Sequence, residues 1–234
     1  MYSERPQPED RKRFLYLTAV IDYLKTNSHR IAHHALSRTS APLASRGDIK
    51  PILPLINGEI ADIITLDMNS KKTFVKCMHF DDLVAHFVGD FALNDSLARI
   101  QKEDLDDIHF IFATNGILTP KLLEIDYTGQ YPNVSQISFL EVRFDPNTIH
   151  KIGNPNIYLR KVVGQVREIG IDFNEIPDGN CECGGKMMLG TYKISYWGKS
   201  KSLEYSICDN CGIQQESDEN AGQVMVFMQG LAAQ

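Results

Sequence analysis

The stretch GEIADIITLDMNSKKTFVKCMHF, residues 58–80, holds two β-branched and aromatic segments separated by Asn69-Ser70. Val, Ile, Thr and Phe favour extended backbone, and the short polar break between them reads as a hairpin turn. The first arm carries Asp62 inside an apolar run, and the second carries Lys76. An ionised carboxylate among Ile and Ala is costly unless a cation or hydrogen-bond donors meet it. A hairpin sets its arms side by side, so the aspartate and the lysine are expected to meet across it.

Outward from this hairpin, the spacing of Phe14, Leu17, Val20, Ile21 and Leu24 predicts a helix over 10–25. Ser28–Ser37 reads as a second short helical piece, and 38–48 as a loop. IKPILPLI, 49–56, contains two prolines and reads as an edge or irregular strand. Residues 81–101 read as a helix with Leu83, Phe87, Phe91, Leu97 and Ile100 near one stripe. IHFIFAT, 108–114, is a continuous apolar run of the kind covered on both faces of a sheet. A short helix or turn over 117–125 and a strand ISFLEVRF, 137–144, follow. YLRKVVGQVREIGI, 158–171, reads as helical at its start. Helices alternating with strands in this order predict an α/β fold with a mixed central sheet flanked by helices.

The chain has 234 residues, 24 Lys plus Arg and 30 Asp plus Glu. That composition excludes disordered and collagen-like classes. Its net charge of −6 argues against a protein that coats nucleic acid without specificity. The charge is uneven: residues 1–57 hold nine basic against five acidic side chains, and 58–180 hold 11 against 19. Arg11, Lys12, Arg13, Arg30 and Arg38 give a positive end that suits phosphate contact. His29 and His33, one turn apart on the expected helix, read as part of that basic face ahead of a metal pair. No apolar run is long enough to span a membrane, and no secretory leader is legible, so a cytoplasmic protein is expected. Phosphate-loop and dinucleotide fingerprints are absent, so no nucleotide cofactor is indicated. Asp104, Asp106 and Asp107 lack the glycine and terminal glutamate of a calcium loop and read as solvated.

The acid-strand and lysine-strand pattern of the hairpin, with a helix before it and a helix and strand after it, resembles the PD-(D/E)xK nuclease superfamily. The resemblance implies a restriction-endonuclease-like fold. Within it Asp62 would hold a divalent Mg²⁺ or Mn²⁺ ion and Lys76 would assist attack of water on a phosphodiester. The family's second acid should stand two residues before the lysine, where this chain has Phe74. Residues i and i+2 share a strand face, so Phe74 takes the place of a metal ligand. Glu59 is the first substitute carboxylate, with Asp67, Asp81 and Asp82 behind it.

Five cysteines stand at 77, 181, 183, 208 and 211. Cys77, between Val75 and Met78, reads as a small apolar residue. Cys181 and Cys183 form one corner and Cys208 and Cys211 another, joined by TYKISYW and LEYSI around GKSKS. Two such corners at the ends of a hairpin converge four thiolates on one ion, which suits tetrahedral zinc ahead of two disulfides. The first corner is C-x-C, where C-x-x-C is commoner. This segment resembles the zinc ribbons of nucleic-acid enzymes, in which the metal supplies folding free energy to a unit with little core. Lys193, Lys199, Lys201, Tyr192, Tyr196 and Trp197 would offer phosphate contacts and base stacking. The turn at 176–180 divides the chain into 1–178, the nuclease-like domain, and 179–234, the ribbon. QVMVFMQGLAAQ reads as a last strand or a partner contact.

Two functions follow from this reading. One is a DNA-processing enzyme, a metal-dependent deoxyribonuclease using Asp62, Lys76 and Glu59. The other is an inactive nucleic-acid-binding or adaptor subunit of a larger complex, with DNA and a protein as partners.

Overall fold

The computed structural model describes residues 8–34, 61–66, 71–79, 88, 90–102, 105–143, 165–196 and 199–232. Glu59, Asp67, Asp81, Asp82, Asp104, the 49–56 segment and the Asn69-Ser70 turn lie outside them. So do residues 35–48, most of 81–89 and the start of 158–171.

One sheet of ten strands organises the described residues. In chain order the strands are β1 (Arg30–His34), β2 (Ile63–Leu66), β3 (Lys72–Met78), β4 (Ile108–Thr114), β5 (Val134–Arg143), β6 (Gln165–Ile169), β7 (Asn174–Asn180), β8 (Lys186–Tyr196), β9 (Lys199–Cys208) and β10 (Gln214–Gln215). The helices are α1 (Pro8–Thr26), α2 (Asp90–Lys102), α3 (Pro120–Leu123), α4 (Tyr127–Gln130) and α5 (Asp218–Ala232). The spatial order is β1-β2-β3-β4-β5-β6-β8-β9-β10, with β7 also paired to β8. Only β3-β4 and β4-β5 are parallel, and every other ladder is antiparallel. The fold is therefore mixed α/β with a mostly antiparallel sheet and few helices.

The expected hairpin forms, with Ile63 opposite Val75 and Leu66 opposite Lys72. Strand alternation then sorts the apolar residues onto two faces. Ile64, Phe74, Phe110, Phe112 and Phe139 join one cluster with Leu93, Leu97 and Ile100 of α2. Ile63, Val75, Ile111, Leu140 and Val142 join another with Tyr16, Leu17, Val20 and Leu24 of α1. Leu17, Val20, Ile21 and Leu24 of the α1 stripe predicted from spacing are thus buried against the middle of the sheet, each large side chain contributing about 1.5–3 kcal/mol.

Several elements differ from the sequence reading. Residues 30–34 form a strand, not a helix, because Ser28 turns the chain at φ 67° and Arg30–His34 pairs with β2. His29 consequently bonds Thr65 Oγ1 through Nδ1 at 2.9 Å. Phe91 is exposed at 80%, off the buried stripe of α2. Residues 165–169 are a strand between β5 and β8. The C-terminal apolar run is helix α5, whose Val224 and Phe227 pack on the Phe74 face. The 178/179 division falls inside β7, where Asp178 sits at φ 59°, and the ladder from β6 to β8 carries the sheet across it.

Candidate metal centre

The long β8-β9 hairpin pairs in unbroken register from Met187 opposite Cys208 to Tyr196 opposite Lys199. Its base brings the two cysteine corners together. In the first, the Gly184 N–H donates to Cys181 O at 2.9 Å, and the Cys181 N–H to Gly185 O at 2.9 Å. In the second, the Gly212 N–H donates to Cys208 O at 3.0 Å, and the Cys208 N–H to Ile213 O at 3.0 Å. Gly184 and Gly212 hold φ of +84° and +65°, a region costly for a side chain. At Gly212 a Cβ would also stand 2.1 Å from Ile117 Cγ2. The corners are cross-tied by the Lys186 N–H to Asp209 Oδ1, 2.8 Å, and the Asp209 N–H to Lys186 O, 2.9 Å.

The Sγ atoms of Cys181, Cys183, Cys208 and Cys211 all lie within 4.8 Å of one another. Cys181 and Cys211 are 3.6 Å apart, and Cys183 and Cys208 3.5 Å. Tetrahedral Zn–S bonds of about 2.3 Å space two sulfurs about 3.8 Å apart, whereas a disulfide needs about 2.05 Å. The four thiols are free and fit a metal ion such as zinc. Amides support the sulfurs: the Asn210 and Cys211 N–H groups each reach Cys208 Sγ at 3.4 Å, and Asn210 Nδ2 reaches Cys183 Sγ at 3.6 Å. Cys183 is drawn down to about 6, first by the Gly185 N–H and then by the neighbouring thiols, whereas Cys181 is raised and Cys211 is pushed up to about 12, so without a metal the four sulfurs do not ionise together.

The Asp62–Lys76 pair sits elsewhere, near the carboxyl end of β3. Lys76 Nζ lies 3.8 Å from Asp62 Oδ2, as the hairpin predicts. The Asp62 carboxylate, 5% exposed, also accepts the Cys77 N–H at 2.8 Å. Its own N–H donates to Val75 O at 2.8 Å, so the residue fastens β2 to β3. Tyr16 lies beneath. Burial, then Cys77 and Asp62, push its phenol above the usual range, and its hydroxyl has no hydrogen-bond partner among the described residues. Phe74 is wholly buried among Ile64, Phe110 and Phe112. Glu59 lies outside the described residues, as do the other substitute carboxylates.

The sequence reading missed a third cluster. Arg143 Nε donates to Glu141 Oε2 at 2.8 Å, and its Nη1 to Glu216 Oε1 at 3.1 Å. Arg167 donates to the same Glu216 and lies 4.4 Å over the Tyr192 ring. Gln214 binds Glu141 and Arg143. The available signal was the pair of charges two apart in LEVR, which places both on one face of an otherwise apolar strand. Tyr192, expected as a stacking group, is 2% exposed in this cluster, and Lys193 pairs with Glu168 at 2.9 Å. Lys199 is exposed and Lys201 half-buried, while Trp197 lies outside the described residues. No described helix is long and apolar enough to cross a membrane.

The chain thus combines a mixed sheet with helices and a cluster of four cysteines able to hold zinc, and no family model, curated protein or solved structure matches it.

Proposed function

We propose that the protein binds nucleic acid through a zinc-stabilised sheet and does not hydrolyse it. The observation that carries this reading is Phe74, buried in the core at the position where the PD-(D/E)xK pattern has its second carboxylate. A phosphodiesterase centre needs two or more oxygen donors around its cation. Here the one described carboxylate faces a lysine and a main-chain N–H. Affinity for nucleic acid comes in this reading from the basic end of 1–57 and from Lys199 and Lys201 on the hairpin.

The test incubates the protein with supercoiled plasmid and Mg²⁺ or Mn²⁺, and in parallel measures binding of a labelled DNA duplex and single strand by anisotropy. No nicking is expected. Lys199→Glu with Lys201→Glu should weaken binding about tenfold at low salt, with a shallower salt dependence. Binding that ignores both charge and salt overturns the proposal.

A second reading is favoured by one observation: Asp62 and Lys76 meet at 3.8 Å near the carboxyl end of a strand in a parallel ladder, where α/β sites commonly lie. In it the chain is a divergent PD-(D/E)xK deoxyribonuclease, Glu59 supplying the second carboxylate to Mg²⁺. Cleavage abolished by both Asp62→Ala and Lys76→Ala would establish this reading over the first.

A further inference from the structure

The sheet opens between β5 and β7. Strands β5 and β6 pair only from Phe139 opposite Ile169 to Arg143 opposite Gln165. Strand β5 begins five residues earlier, at Val134, so 134–138 has no strand partner on that side among the described residues. After Ile169 the chain leaves β5 and follows β8 instead. Gly170 makes this departure possible: its N–H donates to Thr191 O at 2.8 Å, and a Cβ would stand 2.6 Å from Thr191 Oγ1. Strand β7 then pairs with β8 alone, leaving its outer edge without a described partner.

A cleft of about 720 Å³ lies in the gap, lined by the edge of β5, by residues 171–174 leading into β7 and by the α3-α4 corner. Its lining mixes polar and apolar groups, the aromatic ones being Tyr127, Phe139 and Phe173. Its rim is acidic, from Glu124, Asp126 and Asp172, and no basic side chain lines it among the described residues. Glu124 and Asp172 are exposed. Asp126 is engaged by the Gly129 N–H and the Thr128 hydroxyl but keeps its charge.

A strand edge with no described partner, aromatic side chains and an acidic rim describe one kind of occupant. We propose that this cleft docks an extended segment of a partner polypeptide, which adds main-chain hydrogen bonds to the open edge and sets a lysine or arginine against the acidic rim. The site is separate from the cysteine cluster and from the Asp62–Lys76 pair, and it does not depend on the nucleic-acid reading.

The experiment titrates the full chain with a short peptide of alternating valine and lysine, read by calorimetry and by amide chemical shifts. Saturable binding is expected, with shifts confined to 134–139 and 171–175. A peptide N-methylated at alternate residues should lose binding, since it cannot extend the ladder. Glu124→Gln with Asp172→Asn should weaken binding about tenfold; both side chains are exposed, so the variant keeps its fold. The proposal is overturned by no saturable binding at millimolar peptide, by equal binding of an alternating valine–glutamate peptide, or by an N-methylated peptide that binds as well. A concentration-dependent dimer of the chain itself, lost in the double variant, overturns it in favour of a second copy as the occupant.

Discussion

Two places among the described residues carry side chains that the sequence marks as metal ligands, and they do opposite things with them. At the base of the β8-β9 hairpin four sulfurs face one another, and the nearby amides approach Cys208 and Cys183 without separating the sulfurs. At the β2-β3 hairpin one carboxylate is already engaged by the Cys77 N–H and the Lys76 ammonium, and an aromatic ring occupies the next position on the lysine's face. Residue type alone does not make a metal site. Convergent ligand atoms do, and only the cysteine cluster offers three or more of them among the described residues.

The largest expected effect comes from breaking the cysteine cluster. Cys208→Ser or Cys211→Ser should lose the bound zinc and the cooperative melt of the hairpin, because structural zinc contributes on the order of 10 kcal/mol to folds of this kind. Elemental analysis and thermal denaturation check this, with Asp62→Ala as the comparison that keeps its zinc. Wild-type protein that binds no zinc would break the contrast at its stronger end. Next in size is Phe74. Phe74→Ala should cost about 3–5 kcal/mol in urea unfolding. Phe74→Asp should cost more, since it places a carboxylate among Ile64, Phe110 and Phe112. A folded Phe74→Asp protein that nicks plasmid with Mg²⁺ would erase the difference between the two sites.

The outcome at each place tracks how local its cause is. The hairpins were legible because alternation and a polar turn are short-range patterns, and the cysteine spacing needed only a hairpin to converge. The meeting of Asp62 with Lys76 followed from the same rule. Residues 30–34 and 165–169 were not legible as strands, since their extended backbone is set by ladders to β2, β5 and β8, distant in sequence. The terminal run of α5 carries Val, Met and Phe, which suit a strand, and its helix is settled by packing of Val224 and Phe227 on a sheet face that local pattern cannot reveal. The cluster of Glu141, Arg143, Arg167 and Glu216 needs three segments distant in sequence to be placed at once. A resemblance built on two residues could not have specified ten strands in a mostly antiparallel order.

Asp62 invites a smaller test. Its carboxylate is buried, so Asp62→Ala should cost about 1–3 kcal/mol by leaving the Cys77 N–H without its acceptor. Asp62→Asn should recover part of that, since an amide oxygen can accept the same bond. Urea midpoints of the two variants decide whether the residue is a fastener of β2 to β3; equal stability of wild type and both variants would deny it that role.

Asp126 makes the same bond in water, and so isolates what burial adds. Its Oδ1 accepts the Gly129 N–H at 2.8 Å, as Asp62 accepts the Cys77 N–H, but it is fully exposed at the start of α4. The Gly129 amide, then the Thr128 hydroxyl, hold its carboxyl below the usual 3.8. A depressed value in the folded state means the carboxylate stabilises α4 above the unfolded value, and that this contribution fades as pH falls through the folded one. Asp126→Ala should therefore be less stable than wild type at pH 6 by a smaller margin than Asp62→Ala, and the gap should close on acidification toward pH 2. A gap that widens in acid would reverse the sign. Carboxyl-carbon titration of Asp126 supplies the independent reading, because water screens the charge but leaves the short N–H···O bond to lower its value.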